Sequence, residues 1–210
     1  MAKAPKPGYV NGITTPKGRI VYPHIVDTNE GGEFPSHKYE VQFFFEKDTT
    51  MTVDGKTVNA GEYLESKALQ AAQQCYPDLK LEDIDISLRD GDDKKSAMFD
   101  GCLVMSPKTK NQPDVYDGMR NKVGPEEVSH GCFGRLSVTA GFYKMAMDKR
   151  EVAIFEKAGE FILWDEGDAY RPGVTFYLNR IQVTAPNDGS IAVSAGQGGA
   201  YDFPEEVEVL

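Results

Sequence analysis

Two stretches of this 210-residue chain alternate apolar and polar side chains with a period of two, and that periodicity commits the chain to strands. Over residues 38–46, Tyr39, Val41, Phe43 and Phe45 alternate with Lys38, Glu40, Gln42, Phe44 and Glu46. Over residues 131–143, Cys132, Leu136, Val138 and Phe142 alternate with Phe133, Arg135, Ser137, Thr139 and Tyr143. In each stretch the first set is expected on a buried face and the second toward solvent. Phe44 is the exception, a ring among polar neighbours, and reads either as a core residue under a loop or as a surface for a ligand. A third long strand is predicted over residues 174–184, with shorter ones over 19–26, 84–88 and 98–105. The 21 Gly and 12 Pro fall between these runs as breakers, as a β-rich fold with many turns requires. Asp54-Gly55 is a hairpin-turn signal.

One segment has the other period. Leu64, Ala68, Leu69, Ala72 and Cys75 recur at helical spacing over residues 61–76, and Pro77 ends the run. A single helix inserted among strands is what an OB-like barrel carries. The expected fold is mainly β: an OB-fold-like antiparallel β-barrel with one inserted α-helix and long loops. Residues 1–18, rich in Lys, Pro and Gly, read as a basic N-terminal arm without regular structure. Residues 19–188 form the OB-like domain, and 189–210 read as a flexible acidic C-terminal tail. Residues 106–123 are expected to be one long loop.

The net charge of −10 argues at first against a polyanionic partner, but the charge is unevenly spread. Residues 1–24 carry four Lys/Arg and no acid, and residues 101–150 carry eight against five. A phosphate chain responds to potential within about 8–10 Å, so a basic face can bind it on an acidic protein. Solvated basic loops are the plainer account of the same segments. Cys75, Cys102 and Cys132 are far apart and odd in number, which points to reduced thiols and a cytoplasmic protein. Nothing near Met1 reads as a signal peptide, and no apolar run reaches the length of a membrane span.

The sequence holds no phosphate-cradling Walker motif, no strand-linked GxGxxG and no GxSxG elbow. Gly196-Gln197-Gly198-Gly199 precedes an acidic tail rather than a helix. His130 and Cys132 could share a strand face, but no second ligand pair is visible, so no metal and no cofactor is expected. Asp83, Asp85, Asp90, Asp92 and Asp93 lack the ladder of a calcium loop. These acids leave a metal-dependent nuclease as the enzymatic alternative. A virion or scaffold β-sandwich is the non-enzymatic one. The reading favoured here is a binding protein, not an enzyme.

Four segments, taken in order, carry a resemblance. They are Tyr39-Glu40-Val41-Gln42-Phe43, then Leu88-Arg89-Asp90-Gly91-Asp92. The third is Gly131-Cys132-Phe133-Gly134-Arg135-Leu136 running on to Gly141-Phe142-Tyr143-Lys144. The fourth runs from Pro172 and Gly173 through Phe176, Tyr177 and Arg180 to Gln182. Spanning roughly residues 20 to 185, this layout resembles phage single-stranded DNA-binding proteins of the replication type, with an elaborated OB-fold. The resemblance implies sequence-tolerant binding of single-stranded DNA during phage replication and recombination, in the cytoplasm of the infected host. It also implies an acidic tail that recruits replication partners. Here Asp202, Phe203, Glu205, Glu206 and Glu208 would serve, in a tail that is short and ends without an aromatic residue.

Such a binder needs rings for bases and cations for phosphates. Phe133, Arg135 and Tyr143 share the outward face of one strand, residues two apart lying about 6.5–7 Å from each other. Tyr143-Lys144 resembles a Tyr-Lys pair in the family's binding surface. The alternatives are that Phe133 packs on the helix and that Tyr143 caps the barrel. Lys108, Lys110, Arg120 and Lys122 in the long loop, and Lys17 and Arg19 in the basic lead-in, are the expected phosphate contacts, with Phe44 as a further candidate ring.

Overall fold

The alternating segments become the walls of a closed ring of strands, seen in a computed structural model that describes residues 6–31 and 35–191. In chain order the strands are β1 (Tyr9–Thr14), β2 (Gly18–His24), β3 (Tyr39–Glu46), β4 (Thr50–Val53) and β5 (Lys56–Asn59). Helix α1 (Ala60–Gln73) follows, then β6 (Asp85–Ile86), β7 (Leu88–Asp90), β8 (Cys102–Met105), β9 (Lys108–Thr109), β10 (Asp114–Tyr116) and β11 (Lys122–Val123). Strand β12 (Cys132–Ala146), helix α2 (Lys149–Ala158), β13 (Leu163–Asp165) and β14 (Asp168–Ala185) complete the described elements.

The ring runs β12, β2, β3, β9, β14 and back to β12, an OB-like barrel. Its longest seam is the antiparallel ladder of β12 and β14, from Phe133↔Ala185 to Ala146↔Tyr170. The seams β12–β2, β2–β3 and β3–β9 are also antiparallel. The β9–β14 seam is parallel, and so are the flanking contacts of β14 with β6 and β10. The barrel is therefore antiparallel at every seam but the one that β9 makes with β14. Ile20, Phe43, Leu136, Phe176 and Ile181 fill it.

Helix α1 packs on β1, β12 and β14 through Leu64, Ala68, Ala71 and Ala72. Asn59 starts it by accepting a hydrogen bond from the Glu62 N–H at 3.1 Å. Asp54 and Gly55, at φ 49° and 77°, make the expected tight turn of the β4–β5 hairpin.

Three expectations are corrected. Residues 9–14 are strand β1 on the edge of β12, not part of an irregular arm. Gly12, at φ +74°, takes up the register shift between Val10 and Ile13. Thr15 ties the strand's end, its Oγ1 accepting from Leu136 N at 2.9 Å while its own N donates to Leu136 O. An edge strand that buries only Ile13 has almost no hydrophobic signature. A second helix, α2, stands beside the expected one. It buries no residue fully, and its apolar side is short, with Val152 and Phe155 half-buried and Ile154 exposed. Its signal is the reciprocal cap of Asp148 with Glu151 and the left-handed Gly159 at its end. The stretch 106–123 is not one loop, since it contributes β9, β10 and β11. No helix among the described residues is long and apolar enough to cross a membrane. The tail residues Asp202, Phe203, Glu205, Glu206 and Glu208 lie outside the described residues.

Candidate nucleic-acid interface

The β12–β14 ladder turns one face into the barrel and the other outward. Register places Arg135 opposite Gln182, Ser137 opposite Arg180, Thr139 opposite Tyr177, Gly141 opposite Thr175 and Tyr143 opposite Gly173 on the outward side. A bulge at Ser137/Val138 makes Asn179 the extra residue, so that Arg180 comes opposite Ser137 on that face while Asn179 Nδ2 donates to Thr139 Oγ1 at 3.0 Å.

The glycines explain how the rings lie. A Cβ on Gly141 would stand 2.5 Å from the Tyr177 ring and 3.1 Å from that of Tyr9. A Cβ on Gly173 would collide with the ring of Tyr143. Each tyrosine thus covers bare backbone on the neighbouring strand. Tyr9 and Tyr177 stack with centroids 6.2 Å apart at 24°. Lys6 Nζ lies 5.6 Å from the Tyr9 ring. Burial pushes the Tyr143 and Tyr177 phenols above their ordinary range, with Asp85 adding to the first and Tyr9 to the second.

Cations gather at both ends of this row. At one end Arg120, Arg135 and Arg180 line a cleft of about 350 Å³ with Tyr116. Among the described residues none of these three arginines has a carboxylate within ion-pair distance. Lys122 differs, being paired with Asp114 at 2.6 Å and holding that carboxyl below its usual range. At the other end Tyr143 and Tyr177 line a cleft of about 510 Å³ with Lys38, Lys108 and Lys110. Lys108 is held by Glu40 at 2.8 Å. Burial pushes Glu40 up, but Lys108 and the hydrogen bond from Asn29 at 2.7 Å outweigh it and hold the carboxyl below its usual range. Arg89 and Arg171 both reach Asp85, at 2.6 and 3.3 Å.

Other expected residues lie elsewhere. Lys144 cannot share a surface with Tyr143, because neighbours on a strand point to opposite faces. It pairs with Asp165, lies 4.5 Å from the Tyr170 ring, and is raised by Asp165 and then Tyr76. Arg19 is engaged within the chain, its guanidinium on Asp188 at 2.8 Å and on the Gly131 carbonyl at 2.9 Å. It also covers the Phe133 ring at 3.5 Å, with Lys17 at 4.9 Å. Phe133 packs under these cations, not on α1. Phe44 is the core residue of its two readings, 6% exposed and edge-on to Phe99 at 5.2 Å.

The acids do not converge either. Asp90 and Asp92 both clamp Lys47, and Asp85 is taken by two arginines. No group of three or more metal-ligating side chains occurs among the described residues. His130 Nδ1 accepts from Tyr22 N at 3.1 Å, while Cys132 is buried.

The face therefore brings together Tyr143, Arg135, Arg120, Lys108 and Lys110 of the expected set. It adds Tyr9, Tyr177, Arg180, Arg89 and Arg171, which sequence reasoning missed. The signal for Tyr177 was present: Thr175 and Tyr177 alternate with Val174, Phe176 and Leu178. Arg180 needed the bulge, and Tyr9 needed an edge strand that the sequence hides.

A family profile described as Enterobacter phage Enc34, ssDNA-binding protein, matches residues 11–161. No curated protein sequence matches the chain. Among solved structures, the single-stranded DNA-binding protein from bacteriophage Enc34 in complex with ssDNA is similar at TM-score 0.57 and 17% identity, over 86% of this chain and 88% of that one. A second structure of the same phage protein aligns at TM-score 0.54 and 16% identity, over 93% of this chain and 89% of that one. At these identities the structural likeness concerns the fold.

Proposed function

The chain belongs to the Enterobacter phage Enc34 ssDNA-binding protein family, and on that premise we propose that it binds single-stranded DNA along the outward face of β12 and β14. The observation that carries the placement is the row Tyr9, Tyr177 and Tyr143, laid over Gly141 and Gly173 with cations at both ends. Base–aromatic stacking contributes roughly 1–3 kcal/mol per base and tolerates any sequence, because every base has a π-face. Arg135 and Tyr143 are eight residues apart on β12, about 26 Å at 3.3 Å per residue, so the face spans several nucleotides. The free arginines at one end and the carboxylate-held cations at the other meet phosphates, and no base reading is needed.

The role is protection of single strands during phage replication and recombination, in the host cytoplasm, by binding and without catalysis. The acidic tail is proposed to recruit replication proteins through Asp202, Phe203, Glu205, Glu206 and Glu208.

Titration of fluorescent oligo-dT at several salt concentrations tests the reading. With three to five phosphate contacts, as an estimate, log K falls with log salt at about −2 to −3.5. No binding at low salt, or cleavage of the oligonucleotide with magnesium, overturns it.

A further inference from the structure

Asp85 is a carboxylate on a face that should repel carboxylates. Its strand β6 pairs in parallel with β14, and register sets it beside Gly173, the glycine under the Tyr143 ring. Its side chain is only 11% exposed, and both oxygens are used. Oδ1 takes Arg89 at 2.6 Å from β7, and Oδ2 takes Arg171 at 3.3 Å from β14. The two arginines are about half exposed. Long cationic side chains in water sample many rotamers, and two guanidinium groups side by side repel each other. A shared carboxylate removes both obstacles before any ligand arrives. The free arginines at the opposite end of the face have no such anchor among the described residues.

We propose that Asp85 is a positioning residue, which holds Arg89 and Arg171 beside the Tyr143 ring so that a base stacked there finds its phosphates already met. The inference rests on the reading of this face as the single-stranded DNA site. It predicts an effect opposite in sign to that of bulk charge. Removing a negative charge from a phosphate-binding surface should tighten binding if only the summed potential mattered. Removing an anchor should loosen it.

The test is oligo-dT affinity of the full chain with Asp85→Ala and Asp85→Asn, each alone and in an Arg89→Ala/Arg171→Ala background, with thermal melting alongside. Asp85→Ala is expected to weaken binding roughly tenfold, the scale of a lost charge-assisted hydrogen bond. Asp85→Asn, which keeps the shape and one acceptor oxygen, should lose less. In the arginine-free background either substitution should leave affinity unchanged or raise it slightly. If Asp85→Ala does not fold, Asp85→Asn and its double-mutant cycle decide. Equal or tighter binding by Asp85→Asn, or the same loss with and without the arginines, overturns the proposal. Failure of the unaltered chain to bind oligo-dT is seen before any variant is made, and it removes the site and the proposal together.

Discussion

Two regions of the barrel use the same residue types to opposite ends. At the start of β12, Phe133 lies under Arg19 and Lys17, and Arg19 is closed off by Asp188 and the Gly131 carbonyl. Further along the same strand, Tyr143 and its neighbours Tyr177 and Tyr9 lie over glycines, and among the described residues Lys6 is the one cation across their faces. Both regions are aromatic and basic in sequence. What separates them is whether the chain itself supplies the carboxylate and the cover. A ring already covered and a guanidinium both paired and largely buried, as Arg19 is, contribute to folding and have little left for a ligand, whereas Arg89 and Arg171 stay about half exposed beside their carboxylate. Rings over bare backbone, and arginines that no carboxylate among the described residues holds, are ready at no such cost.

The largest contrast is in stacking. Tyr177→Ala and Tyr143→Ala should each weaken oligo-dT binding by roughly 1–3 kcal/mol, while Tyr143→Phe keeps most of the affinity because the ring does the stacking. Phe133→Ala should lower the melting temperature and leave affinity nearly unchanged. Equal losses of affinity at Phe133 and Tyr177 would break the distinction between the two regions.

A smaller contrast lies in the cations. Arg135→Ala and Arg180→Ala should each reduce the salt dependence of log K by about 0.7, one phosphate contact apiece. Arg19→Ala should leave that slope alone. It loses a hydrogen bond to a carbonyl and an ion pair at a side chain 14% exposed. A destabilisation of roughly 1–2 kcal/mol follows, read as a fall in Tm of about 2–8 °C for a chain of this size. A reduced slope in Arg19→Ala would place the guanidinium on DNA and open the strap at Asp188.

The sequence made the walls legible and left the cover unread. Period-two alternation located β3 and β12 because alternate side chains of each enter the core, with Phe44 and Thr139 buried besides. It also put Arg135 and Tyr143 on one outward face, and the ladder with β14 keeps them there. The resemblance joins Lys144 to Tyr143, whereas strand alternation turns the two side chains to opposite faces and Lys144 pairs with Asp165. Arg19 and Phe44 look available in the sequence for another reason. Their partners, Asp188 and Phe99, are 169 and 55 positions away, and no local pattern reports such pairing. Charge and aromaticity are local facts of sequence, whereas being free or engaged is a fact of the fold.

The smallest effect is spectroscopic and separates face from core without any mutation. Burial raises the phenols of Tyr63, Tyr76, Tyr143 and Tyr177 above the ordinary value of 10.0. In alkaline titration followed by phenolate absorbance, these four should lag behind others of the ten tyrosines in the native chain, and all ten should ionise together once it is denatured. The sign for stability follows from the raised folded values. The contribution is fully present below the unfolded pKa near 10 and is lost as pH rises through the folded values. Tyr63 belongs to α1, and Tyr76 hydrogen-bonds Asp165 beside Lys144, away from the Tyr9–Tyr177–Tyr143 row. Adding oligo-dA, whose bases do not titrate in this range, should delay Tyr143 and Tyr177 further, since stacked bases exclude water and nearby phosphates oppose a phenolate. Tyr63 and Tyr76 should not move. A delay shared by all four, or by none, would mean that the bases do not rest on these rings.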